Sequence, residues 1–463
     1  MRSQVTAAKK HYWQIAPTLL AGLLLRLWLL LEHANVSGDA FTYGNIAKSW
    51  LMYGVYGIGD VDVRPTLMRL PGYPAFIAAC FRIFGMENYF SVLAMQVFFD
   101  LLSCILIAAA ARRLFGNRAG IAALWLSSLC LFTANYATDA LAESLSIFCI
   151  SWAIYAVVCW RDALPKQGKA TLHLVSLSFA LIAAIYLRPD NGLLAAALLP
   201  AVFLIAWRQA GIGDAMRAIG ICSAIILLSL VPWTIRNYQV FGVFQPLAPR
   251  LANDPGEFVT TGFNRWYRSW DIDYASNEEV YWNPGDASIE FNSLPTRVFD
   301  SPQQQADTAG LIAEYNQDQT ISPELDAKFN ALAEDRIRNH AVRYYMLLPT
   351  ARLMNMWLRP RVELFDIDLR WWEYSQHPEE TWIAVGFGAL NLAYIILAAM
   401  GWGRLRRHDA ILWALAAYVM LRCILLLTLD NSEPRYTLEC FPVLFLLGAA
   451  VFGDGDTEKT ESY

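Results

Sequence analysis

The chain has 463 residues, of which 56% are hydrophobic and 17% charged, with a formal net charge of -5. Soluble domains run near a quarter charged, and this apolar excess is gathered into blocks long enough to cross ~30 Å of hydrocarbon, which excludes an ordinary soluble globule. No basic stripe runs along the sequence, so nucleic acid is not an expected partner.

The elements in chain order predict an all-α polytopic membrane protein. Lys9 and Lys10 precede an apolar run from Ile15 to Leu31, and no small-residue cleavage site follows, so this run reads as a retained first helix. Apolar spans are expected at 13–31, 90–111, 119–136, 142–160, 171–187, 191–207, 216–235, 381–402, 409–429 and 438–453, about ten crossings. The basic clusters Lys9-Lys10, Arg112-Arg113 with Arg118, Arg161 with Lys166 and Lys169, Arg208 with Arg217, and Arg404-Arg406-Arg407 all fall inside when Lys and Arg are placed on the cytoplasmic side. Two runs are too short or too interrupted to span. Pro71 to Phe84 and Tyr344 to Leu358 are expected to lie as helices at the outer interface.

The domains expected are an N-terminal transmembrane bundle at 1–236 with a first outer loop at 32–89, and one extracytoplasmic insertion at 237–380. C-terminal transmembrane helices follow at 381–453, then a disordered acidic cytoplasmic tail at 454–463. The insertion contains Trp266, Trp270, Tyr274, Tyr281 and Trp282, too many aromatics for a disordered linker. Such rings suit either stacking on sugars or anchoring at the interface. Leu325, Phe329, Leu332 and Ile337 give Pro323 to Arg338 a helical period. The eight cysteines show no CxxC pair, and none lies in the insertion, which therefore holds no disulfide. The six histidines form no metal motif.

With this topology the unusual polar residues share the outer face. They are Asp39 and Tyr43, Asp60, Asp62, Arg64 and Arg69 after the first span, Asp139 and Glu143 before the fourth, Arg188 and Asp190 after the fifth, Arg236 after the seventh, and Glu433, Arg435 and Tyr436 after the ninth. Each has a plainer reading. Asp190 can cap the helix after Pro189, Asp60 and Asp62 sit in a Gly-rich loop, and Arg or Tyr at an interface is ordinary. Glu143 stands at the edge of an apolar run, where an ionisable group is costly and marks function. Asp139 precedes it by four residues, on the same face if that helix extends outward. Arginines suit phosphate because the planar guanidinium donates two parallel bonds; carboxylates suit deprotonation of a hydroxyl.

Asp39-x-x-x-Tyr43, Arg69-Leu-Pro-Gly-Tyr-Pro74, Leu187-Arg-Pro-Asp190, Pro232-Trp-Thr-Ile-Arg-Asn237 and Glu433-Pro-Arg-Tyr436 together resemble the family-39-type GT-C glycosyltransferases, which include protein O-mannosyltransferases and the lipid A aminoarabinose transferase. The resemblance covers about residues 12–445, least at 250–340. It implies a GT-C-type bundle and a polyprenyl-phosphate-sugar donor. It implies Asp39 as base or acceptor-orienting group, Glu143 as the second acid, and Arg69, Arg236 and Arg435, with Arg188, as holders of the lipid phosphate. The sequence departs from the family where Gly38-Asp39-Ala40 replaces an Asp-Glu pair, and where Thr-Leu-Glu439-Cys440 continues the closing motif in place of a commoner Leu-Pro.

The expected activity is therefore sugar transfer, with inversion, from a polyprenyl phosphate to an acceptor hydroxyl on a lipid, glycan or protein. The expected setting is the extracytoplasmic face of the inner (plasma) membrane. The catalytic candidates are Asp39, Glu143 and Asp139; the substrate-binding candidates are Tyr43, Arg69, Arg188, Arg236, Arg435 and Tyr436. Membrane lipid is the other partner. No cofactor is required by the sequence; a divalent metal is compatible with it, and Glu143 would orient the acceptor or help to hold such an ion. The competing classes are a lipid-linked-sugar flippase or other envelope transporter, and an envelope scaffold. A transporter places its ionisable groups near the midplane, often within inverted repeats; no repeat is visible here, and a scaffold leaves Glu143 unexplained.

Overall fold

The computed structural model describes residues 13–59, 62–164, 169–405 and 409–453. Lys9, Lys10, Asp60, Lys166, Arg406, Arg407 and the tail 454–463 lie outside the described residues. The chain divides into two compact units, one of Met1–Pro255, Leu392–Met420 and Leu438–Tyr463, the other of Gly256–Asn391 and Leu421–Thr437.

The first unit opens with α1 (Ile15–Glu32) and α2 (Asp39–Tyr53). A short hairpin follows, β1 (Gly57–Ile58) against β2 (Arg64–Pro65), then α3 (Gly72–Phe84) and α4 (Tyr89–Phe115). Next come α5 (Asn117–Ser128), α6 (Leu131–Tyr136), α7 (Glu143–Ala163), α8 (Ala170–Leu187), α9 (Gly192–Ala210) and α10 (Ile212–Phe241). The second unit contains α11 (Thr261–Arg268), α12 (Pro302–Tyr315), α13 (Pro323–Asn339) and α14 (Leu348–Leu358). After these the chain runs through α15 (Pro378–Arg404), α16 (Ala410–Leu426) and α17 (Phe441–Ala450).

Among the described residues seven helices are long and apolar enough to cross a membrane: α1, α4, α7, α8, α9 with the turn before it, α10 and α15. This is an all-α, multi-pass membrane protein. α7 is the axis of the first unit. It is apolar on all sides and largely buried, as a helix without a polar face must be, and at 1.5 Å per residue its length is about 31 Å, one hydrocarbon thickness. Glu143 is its first residue, while Arg161 near its other end pairs with Asp162 and Asp409, and Arg113 of α4 also reaches Asp162. The basic groups and Glu143 thus occupy opposite ends of one helix.

Three of the expected spans take other forms. The run 409–429 is the 17-residue α16, and 438–453 is the end of a 3₁₀ turn followed by α17. The run 119–136 is broken at Leu129–Cys130 into α5 and α6. The break has a physical cause in α1. Arg26, fully buried, donates from Nη1 to the carbonyls of Ser128 at 2.7 Å and Gly22 at 2.9 Å, so a carbonyl released by the break is satisfied by a charge. Its Nε donates to Asp100 of α4 at 2.6 Å. A Cβ on Gly22 would stand 2.9 Å from Ser128 Cβ, so the missing side chain is what admits the close contact. The expected short helix at Pro71 to Phe84 is α3, and its buried face of Tyr73, Ile77 and Phe81 packs into the first unit.

The second unit has its own core. Ser322 caps α13 by accepting from the Leu325 N–H, and Asp326 accepts from the N–H groups of Gly262 and Phe263 at the start of α11. The helix expected at Pro323 to Arg338 is α13, with Leu325, Phe329, Ala333 and Ile337 on its buried face. Trp266 and Trp270 pack against Phe329 and Tyr267 and are fully buried. They are core residues of this unit, so neither the sugar-stacking nor the anchoring reading applies to them. The run Tyr344 to Leu358 forms a π turn followed by α14, with Arg352 buried and donating to the carbonyls of Arg268 and Asp271 at 3.1 Å. All eight cysteines are free.

The Arg26–Asp100 pair generates a prediction. Asp100→Ala strands a buried guanidinium and should cost about 3–5 kcal/mol, read as a large drop in the thermal midpoint of the purified protein. Arg26→Met with Asp100→Leu should recover most of that drop. Equal losses in the single and double variants would contradict the pairing account.

Candidate functional site

The site is built at the end of the first unit where α7 begins. Asp39 is the first residue of α2, following Gly38 at φ +51°, and an acid at a helix N-terminus is favoured by the helix dipole. Tyr43 lies one turn further along the same face. Arg69 comes to them from the loop after the hairpin. Its Nη2 donates to Asp39 Oδ1 at 2.7 Å, and its guanidinium carbon lies 5.5 Å from the Tyr43 ring centroid. This pair is about one-third exposed, so solvent reaches it.

Arg69 is held in place by its own loop. Tyr56 donates its hydroxyl to the Arg69 carbonyl at 3.0 Å, and the Leu67 N–H donates to Asp254 at 2.7 Å. Arg236 fastens the same loop. Its Nη1 donates to the Thr66 carbonyl and its Nη2 to the Tyr56 carbonyl, each at 2.7 Å, and its guanidinium is boxed by Tyr56, Trp233 and Phe241. The structure therefore gives Arg236 a clamping task on the loop that carries Arg69.

A second carboxylate–arginine pair stands beside the first. Arg188 ends α8 in an extended conformation, and its Nη1 donates to Glu143 Oε1 at 2.6 Å. Its Nε lies 3.3 Å from Asp190 and 3.2 Å from Glu439, an acid with no exposure at all. Gly72 brings the two arginine segments together. A Cβ there would fall 2.5 Å from the Tyr186 carbonyl and 2.8 Å from the Leu187 nitrogen, so only glycine lets α3 seat against the end of α8. Tyr43 is shared by both pairs. Burial pushes its hydroxyl pKa up, and the charges of Arg69, Asp39, Glu143 and Arg188 all bear on it.

Asp139 sits nearby but not on the helix of Glu143. Residues 137–142 are irregular, α7 begins only at Glu143, and the Asp139 segment bridges Asn35 in a short parallel contact. The expectation of a common helical face is corrected accordingly. The Asp139 carbonyl accepts from Gln96 at 2.7 Å, and Gln96 in turn accepts from the Tyr73 hydroxyl at 2.5 Å. Asp139 is thus linked to Tyr73, whose ring packs edge-on against Tyr43.

Arg435 and Tyr436 belong to the second unit. The Arg435 guanidinium lies 5.7 Å from the Tyr436 ring centroid, and its Nε is 3.9 Å from Glu433. The Tyr436 carbonyl accepts from Arg422, and the Pro434 carbonyl from Arg361 at 3.0 Å. Burial raises the Glu433 carboxyl to about 8; Arg435 opposes the rise, and Glu363 and Glu278 add to it.

The sequence reading missed Gln96 and passed over Glu439. An acid at the edge of an apolar run was the available signal for Glu439, the same signal that singled out Glu143. Among the described residues no group of three or more His, Cys, Asp or Glu is arranged to hold a metal ion.

Residues 64–235 match the family described as dolichyl-phosphate-mannose-protein mannosyltransferase. Among curated proteins no relative matches. The fold resembles the Archaeoglobus fulgidus oligosaccharyltransferase in complex with zinc and sulfate, at 12% identity and a TM-score of 0.50, over 94% of this chain and 48% of that one. The archaeal oligosaccharyltransferase AglB from Archaeoglobus fulgidus, with an inhibitory peptide and a dolichol-phosphate, aligns at 12% identity and a TM-score of 0.50, over 95% of this chain and 50% of that one. ArnT from Cupriavidus metallidurans bound to undecaprenyl phosphate aligns at 15% identity and 0.42, over 95% and 77%. The chain spans about half the length of the oligosaccharyltransferase. The GT-C fold implied by the motif order is the fold of this chain.

Two predictions arise here. Arg236→Lys keeps the charge but loses the two carbonyl bonds, and should destabilise by on the order of 3 kcal/mol, with faster hydrogen exchange across 54–71; unchanged exchange would remove the clamp. The second concerns pH. A carboxyl raised from 4.5 to about 8 on folding keeps its proton while the unfolded chain loses it, so its contribution to stability is full below about 4.5 and is lost as pH rises to about 8. Glu433→Gln should therefore gain on wild type through that window and hold a constant advantage above it; a pH-independent difference in thermal midpoint would contradict the assignment.

Proposed function

We propose that this GT-C-fold chain is a membrane glycosyltransferase that moves a sugar from a polyprenyl-phosphate donor to an acceptor hydroxyl at the extracytoplasmic face. The observation that carries the reading is the pairing of Asp39 with Arg69 and of Glu143 with Arg188 around one tyrosine. An anion-binding group and a base are both needed where a phosphate leaves and a hydroxyl attacks, and both are supplied on short, braced segments. The family match over 64–235 covers the loop of Arg69, the start of α7 and the end of α8. The placement of Glu143 and the basic residues at opposite ends of α7 supports an outer-face site, and the basic residues' side is that of the cytoplasm.

In this reading Arg69 turns to the donor phosphate and leaves Asp39 to the acceptor. The acceptor oxygen attacks the anomeric carbon in line as Asp39 takes its proton. The bond from the anomeric carbon to the phosphate oxygen breaks, and polyprenyl phosphate leaves with the electron pair, its charge met by Arg69. The configuration inverts, and no carboxylic acid need protonate the leaving group, in contrast to glycoside hydrolysis. Glu143, aimed by Arg188, orients the acceptor. For Arg435 and Tyr436, on the second unit, phosphate binding is proposed from motif position alone. Arg236 serves the site by bracing the loop of Arg69. No step is routed through a metal ion.

The test is transfer of radiolabel from a polyprenyl-phosphate sugar into a new acceptor in membranes carrying the chain. Asp39→Asn should lower turnover by about 10²–10⁴-fold with donor binding retained, and near-normal turnover would remove Asp39 as the base. Label that crosses the membrane still attached to its lipid would instead indicate a flippase.

A further inference from the structure

Glu439 is an acid at this site to which the mechanism gives no task. It is fully buried, and it stands in the 3₁₀ turn Pro434–Cys440 that leads directly into α17, every residue of which is buried. A carboxylate taken out of water costs several kcal/mol unless it is paired, and an apolar side chain in the same place would carry no such cost. What Glu439 faces is the Arg188 guanidinium, with Oε1 3.2 Å from Nε.

We propose that Glu439 is a positioning residue that acts through Arg188, holding one edge of its guanidinium so that the opposite nitrogen is aimed at Glu143. The inference rests on the reading of Glu143 as the acceptor-orienting group. The guanidinium is a rigid planar fork, so fixing one nitrogen fixes the direction of the others. The Nε–H donates to Asp190 at 3.3 Å, Nε also lies 3.2 Å from Glu439 Oε1 as an ion pair, and Nη1 points to Glu143 Oε1 at 2.6 Å. Asp190 is two residues from Arg188 and partly exposed, so it moves with the arginine and is screened by water. Glu439 is neither. Its carbonyl accepts from the Tyr418 hydroxyl of α16 at 3.5 Å, which ties its backbone to a second helix. It is therefore the fixed point against which Arg188 is set.

The arrangement also redistributes charge. Glu143, Glu439 and Asp190 all share one guanidinium, so the positive charge of Arg188 is already matched. A lipid phosphate is better served by Arg69, whose ion pair with Asp39 is solvent-accessible. The earlier expectation of Arg188 as a phosphate ligand gives way to a role in aiming Glu143.

The experiment compares Glu439→Gln and Glu439→Asp with wild type in the label-transfer assay. Glu439→Gln should lower kcat about tenfold with the donor KM within about twofold of wild type. Glu439→Asp should recover part of kcat. A wild-type kcat in Glu439→Gln, accompanied only by a lower thermal midpoint, would overturn the inference; so would a raised donor KM at unchanged kcat. If wild-type membranes transfer no label, the proposed function fails, and the positioning claim is still read from thermal midpoints. Glu143→Gln and Glu439→Gln should then show non-additive shifts that become additive in an Arg188→Met background; additivity in both backgrounds would overturn it.

Discussion

An unpaired charge inside an apolar bundle costs several kcal/mol, and the first unit is organised by that cost. Arg26 answers it with Asp100 and a freed carbonyl in the middle of the bundle. Arg188 answers it with Glu143, Asp190 and Glu439 at the end of α7. Arg236 answers it with two carbonyls and an aromatic box. Each pairing fixes a segment that has no regular hydrogen-bonding ladder of its own: the break between α5 and α6, the end of α8, and the loop after the hairpin. The polar end of the unit is therefore braced before any substrate arrives. Such bracing is what lets charged groups stabilise a developing charge without first reorganising.

Arg69 stands apart from these. Its loop is fixed by Tyr56, Arg236 and Asp254, but its guanidinium pairs with Asp39, a carboxylate that water can reach. It is the arginine of the first unit best placed to exchange its partner for a phosphate. The same exchange would release Asp39, so that the base becomes available only when the donor is in place.

Much of this was legible in the sequence, and for a definable reason. Asp39, Arg69, Glu143 and Arg188 stand at helix ends, where the apolar runs themselves mark position, so charge asymmetry and motif order were enough to bring them to one face. Glu143 at the first residue of α7 is the clearest case. The rest depended on distant contacts. The interruption of the run 119–136 is not written in its own residues but in Arg26, on a helix about a hundred residues earlier. Arg236 reads as one more outer arginine until the hairpin places two carbonyls against it. Asp139 lost its helical face because the chain there turns to bridge Asn35. Trp266 and Trp270 read as surface rings, since composition alone does not tell an aromatic platform from an aromatic core. Glu439 carries the same signal as Glu143, an acid at the edge of an apolar run.

The central claim is that a lipid phosphate is held by Arg69 and that holding it frees Asp39. An electron cryomicroscopy structure of the protein with a polyprenyl phosphate bound tests this most directly. The account predicts phosphate density within hydrogen-bond distance of the Arg69 guanidinium, next to Tyr43, with the 2.7 Å Asp39–Arg69 contact opened. Phosphate bound away from Arg69, with that contact intact, would contradict it.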